Sequence, residues 1–351
     1  MKALLLMLSL LSFSMLSQAV KAVTWAETNL AVVDEYAVPA YKKLYQSSQQ
    51  LQKSSDMFCA ELNEEAFTQL QDSFHHTMDA WQFIQTFRLG PAGKFMRSFR
   101  LEMWPDRSNA AAKHLRKLLS EAKPSNLEPA QFIKASVAVQ GLSAMERILF
   151  AKDSGYTHYQ TDDNANFRCQ LLSAISFNVH SIAKDLLSAW ENEYRDIIAK
   201  PNKDNDFFET DKEVASQFLN ELSTQLQAII EQKFDRPIAG DKFFISKAES
   251  WRSQRSLRNI VLNLQSTQYL YKTAFVPHIT NENLRKKQLA LFDTALLASK
   301  ELMMPLAEAY ADKRTALQHW IEAIKNLKNS ISTELPPAID IQLGFNSLDG
   351  D

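Results

Sequence analysis

The stretch that decides the fold runs from Glu61 to Phe87 and reads ELNEEAFTQLQDSFHHTMDAWQFIQTF. Large apolar side chains recur in it every three or four residues, at Phe67, Leu70, Phe74, Met78 and Trp81. This spacing places them on one side of an α-helix. The stretch is therefore predicted to be a helix that buries one face.

Similar helical periodicity continues along most of the chain. With 7 Gly and 11 Pro in 351 residues, the chain has too few turn residues to separate the many short strands of a β-sandwich or barrel. We predict an all-α fold of two pseudo-symmetric helical bundles packed together. The predicted helices are 23–53, 61–87, 108–122, 129–151, 164–199, 212–233, 242–272, 281–304 and 307–331.

The polar stretch Lys200–Asp206 is the clearest interruption between these helices. Single hydrophobic cores stop growing near about 250–300 residues, so a chain of this length is expected to contain two units. We predict a signal peptide over 1–22, an N-terminal bundle over 23–200 and a C-terminal bundle over 207–351.

The first residues have the pattern of a signal peptide. Met1 and Lys2 precede an apolar run from Ala3 to Leu16, and cleavage is expected after Ala19 or Ala22. An uncleaved N-terminal anchor is the alternative, but the run is shorter than the roughly 20 residues that span a bilayer. No cysteine follows the run, so a lipid anchor is not expected. The mature chain is expected to be exported and soluble, without a transmembrane segment.

Charge gives no sign of a nucleic-acid partner. The chain has 39 basic and 41 acidic residues, a net charge of −2, and no block of Lys and Arg. A nucleic-acid interface or an anionic membrane surface would favour a basic patch. Neither partner is predicted.

The two cysteines, Cys59 and Cys169, leave two alternatives open. An oxidising compartment outside the cytoplasm would permit a disulfide between them. Otherwise they would be two buried small apolar residues.

A polar cluster lies on the far side of the helix 61–87. Asp72, His76 and Asp79 share a face opposite the apolar stripe, and His75 lies at its edge. Their spacing suits metal ligands, so His75, His76 and Asp79 are candidates. The alternative is a solvated charged face, which such a position favours.

A carboxylate interrupts the apolar face of the predicted helix 129–151. Glu146 and Ser143 share this face with Phe132, Val139 and Phe150. A buried carboxylate must be paired, hydrogen-bonded, protonated or metal-bound. Glu146 is therefore either a functional acid or half of a structural ion pair, with the partner chosen from Arg97, Arg100 and Arg107.

The predicted helix 242–272 has a second inward acid. Glu249 and Ser253 begin a stripe that continues through Ile260 and Leu264. Two inward carboxylates on facing helices can form a cation site in a bundle core, so Glu146 and Glu249 are candidate ligands. The chain contains no His-Glu-x-x-His, nucleophile elbow, phosphate-binding loop or dinucleotide fingerprint.

Several segments, in order, resemble the imelysin-like family of exported bacterial proteins. The resemblance covers nearly the whole mature sequence. The segments are Tyr36–Leu51, Phe87–Pro91, Trp104-Pro105-Asp106-Arg107, Gly141-Leu142-Ser143-Ala144-Met145-Glu146, Glu249 to Ser253, and Leu343–Asp351.

The resemblance implies two related helical bundles and a link to iron uptake or iron-regulated expression, and some members are labelled metallopeptidases. Its signature is Gly-x-His-x-x-Glu. Gly141 and Glu146 match it, but Ser143 stands at the His position. A hydroxyl is a poor ligand for a borderline metal, and loss of the imidazole counts most against peptidase activity.

Three functions are compared. The first is a periplasmic binding protein for iron, another divalent cation or a small ligand. The second is an interaction protein for an envelope partner, and the third is an imelysin-type metallopeptidase. The first is preferred, with a pocket formed by Trp104, Asp106, Arg107, Gly141, Ser143, Glu146, Glu249 and Ser253.

Overall fold

The computed structural model describes residues 23–152, 155–204 and 206–344. The predicted signal peptide and residues 345–351 of the C-terminal marker lie outside the described residues. Within those ranges, no helix is long and apolar enough to cross a membrane.

The N-terminal half is helical, and short 3-10 turns at 90–92, 94–96, 124–127 and 137–139 connect some of its helices. π-helical turns Val32–Ala37 and Trp190–Tyr194 join α1 to α2 and α9 to α10. The helices are α1 (Trp25–Ala31), α2 (Val38–Ala60), α3 (Glu64–Ile84), α4 (Arg97–Leu101), α5 (Ala110–Glu121), α6 (Pro129–Phe132), α7 (Leu142–Phe150), α8 (His158–Thr161), α9 (Ala165–Ala189) and α10 (Arg195–Ala199).

The C-terminal half adds a short antiparallel hairpin, in which Ile238 pairs with Phe243. A π-helical turn follows α11 at Ile229–Phe234, and 3-10 turns occupy 245–247, 276–278 and 299–302. The elements are α11 (Asp211–Ala228), β1 (Ile238–Ala239), β2 (Lys242–Phe243), α12 (Ser256–Ala274), α13 (Glu282–Ala298), α14 (Leu306–Asp312), α15 (Arg314–Thr333) and α16 (Leu335–Ala338).

Packing divides these helices into two bundles. In the first, α2 packs between α3 and α9, and the shorter α7 contacts both α3 and α9. In the second, α11, α12, α13 and α15 pack against one another. The buried apolar side chains of the two bundles form one continuous core. The two bundles meet where α3 packs against α12. The predicted all-α fold of two packed bundles is confirmed, whereas the boundary at residues 200–206 stays a prediction.

Helix starts follow from local side chains that satisfy free backbone N–H groups. Thr24 and Glu27 form a capping box at α1. The Asn63 side chain accepts a hydrogen bond from Ala66 N at 2.8 Å at the start of α3. Thr210 and Asn281 cap α11 and α13 in the same way. Such residues predict helix starts because their side chains accept hydrogen bonds from backbone N–H groups that are free only in the first turn of a helix.

α3 buries the predicted apolar stripe and part of its other face as well. All five stripe residues are buried, from Phe67 to Trp81. α3 also has buried polar residues, among them Thr77 and Gln82. The second buried face exists because α3 lies between its own bundle and α12.

The predicted continuous helix 129–151 is wrong. The chain forms α6, a 3-10 turn and then α7, with Gly141 in extended conformation just before α7. A Cβ at Gly141 would overlap the carbonyl oxygens of Arg100 and Leu101. This close approach of two backbone segments requires glycine and interrupts the helix. Phe132 therefore does not share a helical face with Glu146.

The predicted helix 242–272 is also wrong in its first half. The chain forms the hairpin and a 3-10 turn, then turns through residues 249–254 before α12 begins at Ser256. Ser250 and Gln254 have positive φ angles of 47° and 59°, which are incompatible with an α-helix. Glu249 and Ser253 therefore lie in a turn segment, not on a helical stripe.

The predicted helix 307–331 is two helices. α14 and α15 are separated at Lys313, whose φ of −127° and ψ of 32° are not helical. The other predicted helices exist with mostly similar bounds, but the first continues to Ala60 instead of ending at residue 53. π-helical turns lie inside the predicted helices 23–53 and 164–199, and π or 3-10 turns end the predicted helices 212–233 and 281–304.

Candidate functional site

Glu146 lies on α7 and is 5% exposed. Its Oε1 accepts hydrogen bonds from Ser253 N at 2.9 Å and from Ser253 Oγ at 2.8 Å. The acid thus joins the first bundle to the turn segment 249–254 of the second half. Arg97 and Arg100, two of the proposed ion-pair partners, bind elsewhere: Arg97 contacts Asp185, and Arg100 donates to the side chains of Gln140 and Asn178.

Burial raises the pKa of Glu146 above its ordinary value. The two hydrogen bonds from Ser253 and the nearby charge of Arg252 oppose that shift. Neutral donors and a neighbouring cation therefore replace the predicted direct arginine pair. A buried carboxyl group with a shifted pKa often marks a functional site.

Ser143, one turn before Glu146, donates its hydroxyl to the carbonyl oxygen of Met103 at 3.2 Å. Together with the close approach at Gly141, this contact fixes the segment that contains Trp104 and Arg107 beside α7. Trp104 and Pro105 are joined by a cis peptide bond. The sequence markers Trp104–Arg107 and Gly141–Glu146 are therefore neighbours in space.

Asp106 has a structural partner at the start of α5. Its two carboxylate oxygens accept from Ala110 N at 2.7 Å and from Ala111 N at 3.0 Å. A carboxylate at this place satisfies free N–H groups and the positive end of the helix dipole. Asp106 thus orients the loop that presents Arg107.

A cavity of about 400 Å³ lies between the two halves, in the size range of ordinary small-molecule sites. The first half contributes the marker segments around Trp104 and Glu146, and the second half contributes the residues around Trp251. The charged and polar lining comprises Glu102, Asp106, Arg107, Asn109, Ser143, Glu146, Arg147, Arg236, Ser246, Lys247, Ser250 and Arg252.

Glu249 does not line this cavity, although its neighbours Ala248 and Ser250 do. Its Oε2 accepts from Lys233 Nζ at 2.7 Å and from Asn259 Nδ2 at 2.9 Å. Both ions of the Lys233–Glu249 pair are almost fully buried, at 4% and 2% exposure. Glu249 thus belongs to an internal ion pair, and the predicted convergence of Glu146 and Glu249 on one cavity is not observed.

Glu102, which the sequence reasoning did not single out, connects the cavity with this ion pair. It lines the cavity, and its Oε2 accepts from Trp81 Nε1 at 2.7 Å and from Gln82 Nε2 at 2.9 Å. Burial and the neighbouring charge of Glu249 raise the pKa of Glu102 to about 8. Its position two residues before the Trp104-Pro105 marker was the one signal available in the sequence.

The cluster predicted on the far side of α3 is organised by arginines. Arg255 and Arg258 from the second bundle both contact the carboxylate of Asp79, and Arg255 also donates to His75 Nδ1 at 3.0 Å. These hydrogen bonds outweigh burial and lower the pKa of Asp79. Burial and the charge of Arg255 lower the pKa of His75 to about 4. Asp79 is thus not on a solvated face, whereas His76 is exposed.

The donor atoms present do not fit a bare divalent cation. Throughout the ranges 23–152, 155–204 and 206–344, no three His, Cys, Asp or Glu side chains could hold a metal ion together. Glu249 is neutralised by Lys233, Asp79 by two arginines, and Glu146 accepts from Ser253. A metal at Glu146 or Glu249 stays a prediction.

Cys59 and Cys169 form a disulfide between the end of α2 and the start of α9, with Cα atoms 5.5 Å apart. It closes a loop of 110 residues in sequence separation. Of the two alternatives left open by the sequence, the structure contains the bridge.

Fold and site together define a class: an all-α protein of two bundles, with a buried acid in a polar cavity between its halves. The sequence model of the family described as Imelysin matches residues 37–333. The chain therefore belongs to the imelysin family. No curated protein matches the sequence significantly.

Two solved structures show the same fold. An imelysin-like protein from Psychrobacter arcticum 273-4 has a TM-score of 0.75 at 19% identity, over 92% of this chain and 98% of that chain. A putative iron-regulated protein A precursor from Parabacteroides distasonis ATCC 8503 has a TM-score of 0.72 at 16% identity, over 88% of this chain and 93% of that chain.

Proposed function

We propose that this chain is an exported binding protein of the imelysin family that holds a small polar ligand in the cavity between its two halves. The observation that carries the proposal is Glu146, a buried acid in the cavity wall that is held by Ser253 from the other half. Ligand sites typically combine a concave cavity with a few converging polar groups and an acid of shifted pKa.

The cavity also explains why the family markers occur together. Gly141 permits the close backbone approach, Ser143 holds Met103, and Asp106 orients the loop of Arg107. These interactions fix a wall made of separate chain segments. Such preorganisation lowers the entropic cost of binding a ligand.

Export to the periplasm is part of the proposal. Its support is the signal-peptide pattern of residues 1–22 and the Cys59–Cys169 disulfide, since such bonds persist in oxidising compartments. Fractionation of cells that express the full chain tests it. The mature protein should start at residue 20 or 23 by mass spectrometry and appear in the periplasmic fraction, and an intact Met1 in the cytoplasm would contradict export.

The proposal links the ligand to iron because one structural relative is described as an iron-regulated protein A precursor. Iron would bind as part of a complex whose own atoms coordinate the metal, since no three His, Cys, Asp or Glu side chains of the described residues could hold it together. We therefore do not propose a resident metal ion or metal-assisted hydrolysis.

Native mass spectrometry of the protein purified from its own envelope fraction tests ligand binding. Wild type is expected to carry a bound small molecule, and Glu146→Gln should reduce its occupancy at least several-fold. Glu191→Gln, which removes the same charge from an exposed position, is the matched control. Equal occupancy in all three proteins, or none in any, would contradict the proposal. Chelator-sensitive hydrolysis of a denatured protein would instead favour a peptidase.

A further inference from the structure

The charge of the cavity wall is unbalanced. Five cationic side chains line it, against three acids. The cations are Arg107, Arg147, Arg236, Lys247 and Arg252, and the acids are Glu102, Asp106 and Glu146. A concave site lined mainly by one sign of charge concentrates ions of the other sign.

The three acids have protein partners of their own. Asp106 caps α5, Glu146 accepts from Ser253, and Glu102 accepts from Trp81 and Gln82. Because its pKa is raised to about 8, Glu102 is largely neutral at pH 7. With Glu102 neutral, two carboxylates face five cations in the cavity wall.

Arg236 combines a buried donor atom with a cationic neighbour. Its Nη1 is buried, and none of the residues that the structure describes accepts a hydrogen bond from it. Burial and the nearby charge of Arg107 both lower the pKa of Arg236. Two guanidinium groups that repel each other destabilise the folded protein, and an unsatisfied buried N–H donor adds to that cost. A negatively charged acceptor bound between them would offset both effects.

The other cations leave room for such an acceptor. Within the part of the chain that the structure describes, no ion pair to an acid is seen for Arg107, Arg147 or Lys247. Lys247 instead lies over the Phe244 ring at 4.1 Å. The planar fork of arginine matches the two oxygens of a carboxylate or phosphate, and the pair of arginines supplies two forks.

We propose that the cavity binds an oxyanion, a small molecule with carboxylate or phosphate groups, through Arg107 and Arg236. The inference rests on the proposed function, because it names the ligand class of the same cavity. A ferric complex of a polycarboxylate belongs to this class, because its own oxygens would hold the iron while its outer oxygens meet the arginines.

Calorimetric titration tests the inference with three probes: citrate, ferric citrate and inorganic phosphate. At least one should bind the full chain. Its affinity should fall at least tenfold in Arg107→Gln and in Arg236→Gln. Arg116→Gln removes an arginine from an exposed position of α5 outside the cavity and should bind like wild type. Binding should also weaken several-fold between 50 and 300 mM salt, as charge-driven association does.

The three probes distinguish the sources of the anion. Citrate binding indicates a carboxylate, ferric citrate alone indicates a metal complex, and phosphate alone indicates a phosphate-bearing molecule. No binding of any probe by folded wild type overturns the inference, and so does wild-type affinity in both arginine variants. If Arg236→Gln fails to fold, Arg107→Gln and Arg236→Lys decide, because lysine keeps the charge but loses the fork.

Failure here is separable from failure of the proposed function. A neutral molecule that copurifies with wild type and is lost in Glu146→Gln would keep the binding function and overturn the oxyanion. A protein that binds neither the probes nor any copurifying molecule would contradict both.

Discussion

Glu146 and Glu249 lie in two neighbouring regions of the molecule, and their carboxylates have partners of different charge. Glu249 is sealed inside the protein against a buried lysine, Lys233. Glu146 accepts from the neutral donors of Ser253 and lies in the wall of a cavity lined by arginines. The first acid is paired directly with a buried ammonium group, whereas the second is hydrogen-bonded by neutral donors with the charge of Arg252 nearby.

The difference indicates which acid belongs to the framework and which to the site. A buried ion pair leaves no charge for a ligand. Glu249 instead links the turn segment 249–254 to the π-helical turn after α11 through Lys233, and to α12 through Asn259. An acid held by hydroxyl and N–H donors can change its protonation without breaking an ion pair. Variants that remove one partner at a time test whether the two acids differ in this way.

The largest effect is expected for Lys233→Met. It leaves Glu249 buried without its counter-charge, which typically costs about 3–5 kcal/mol. The free energy of unfolding, measured by urea denaturation at pH 7, should fall by that amount. Lys113→Met, which removes an exposed cation of α5, is the control and should change stability by less than about 0.5 kcal/mol.

The double variant Lys233→Met with Glu249→Gln checks the cause. Much of the loss should be recovered, because the remaining buried group is neutral. If the double variant is less stable than Lys233→Met alone, the ion pair is not the reason for the loss.

The next effect is a pH dependence caused by Glu102. Its folded-state pKa is raised to about 8 by burial and by Glu249. Its contribution to stability is therefore complete below its unfolded pKa and is lost as pH rises through the folded value. Between pH 5 and pH 9, wild type should lose on the order of 4 kcal/mol relative to Glu102→Gln, whose amide does not ionise.

The measurement is urea denaturation of both proteins at several pH values. Other titrating groups are shared, so the difference between the two curves isolates Glu102. Parallel curves across the whole range would show that Glu102 is already ionised in the folded protein and would weaken the contrast between its neutral form and the charged Glu249.

Much of the fold could be predicted because the apolar periodicity and the capping residues of a helix are local features of the sequence. The stripe from Phe67 to Trp81 repeats at the helical period, and Asn63 and Thr210 mark helix starts. The failures came from backbone positions that depend on distant residues. Gly141 interrupts a periodic segment because the backbone of residues 100–101 passes next to it, and no local pattern contains that information.

The site was predictable only in part, for the same reason. Trp104, Asp106, Arg107, Ser143 and Glu146 do line one cavity. The sequence pattern places Glu249 on an apolar helical stripe, but the residue lies in a turn in which the positive φ angles of Ser250 and Gln254 exclude a helix. Glu102 and Arg236 lie outside every motif, and only the packing of the two halves brings them to the cavity.

A smaller effect on stability is expected for Glu146→Gln. The amide oxygen can still accept from Ser253, and the cost of burying a charge disappears, so stability should change by no more than about 1 kcal/mol. Glu249→Gln, in contrast, should lose more because Lys233 is left unpaired. Thermal and urea unfolding of the two variants, side by side, measure the contrast. Equal losses would mean that both acids are parts of the framework.

The smallest effect on stability is expected for the hydroxyl of Ser143, which lies one turn before Glu146 on α7. The Ser143 hydroxyl donates to Met103 O over a long 3.2 Å contact, so Ser143→Ala should cost about 0.5–1 kcal/mol. Ser246→Ala, an exposed serine of the same cavity wall, should cost less and serves as the control. Ligand occupancy should fall less in Ser143→Ala than in Glu146→Gln, because Ser143 acts by holding the backbone before Trp104. A loss as large as that of Glu146→Gln would place Ser143 in contact with the ligand, at the position where the family signature has histidine.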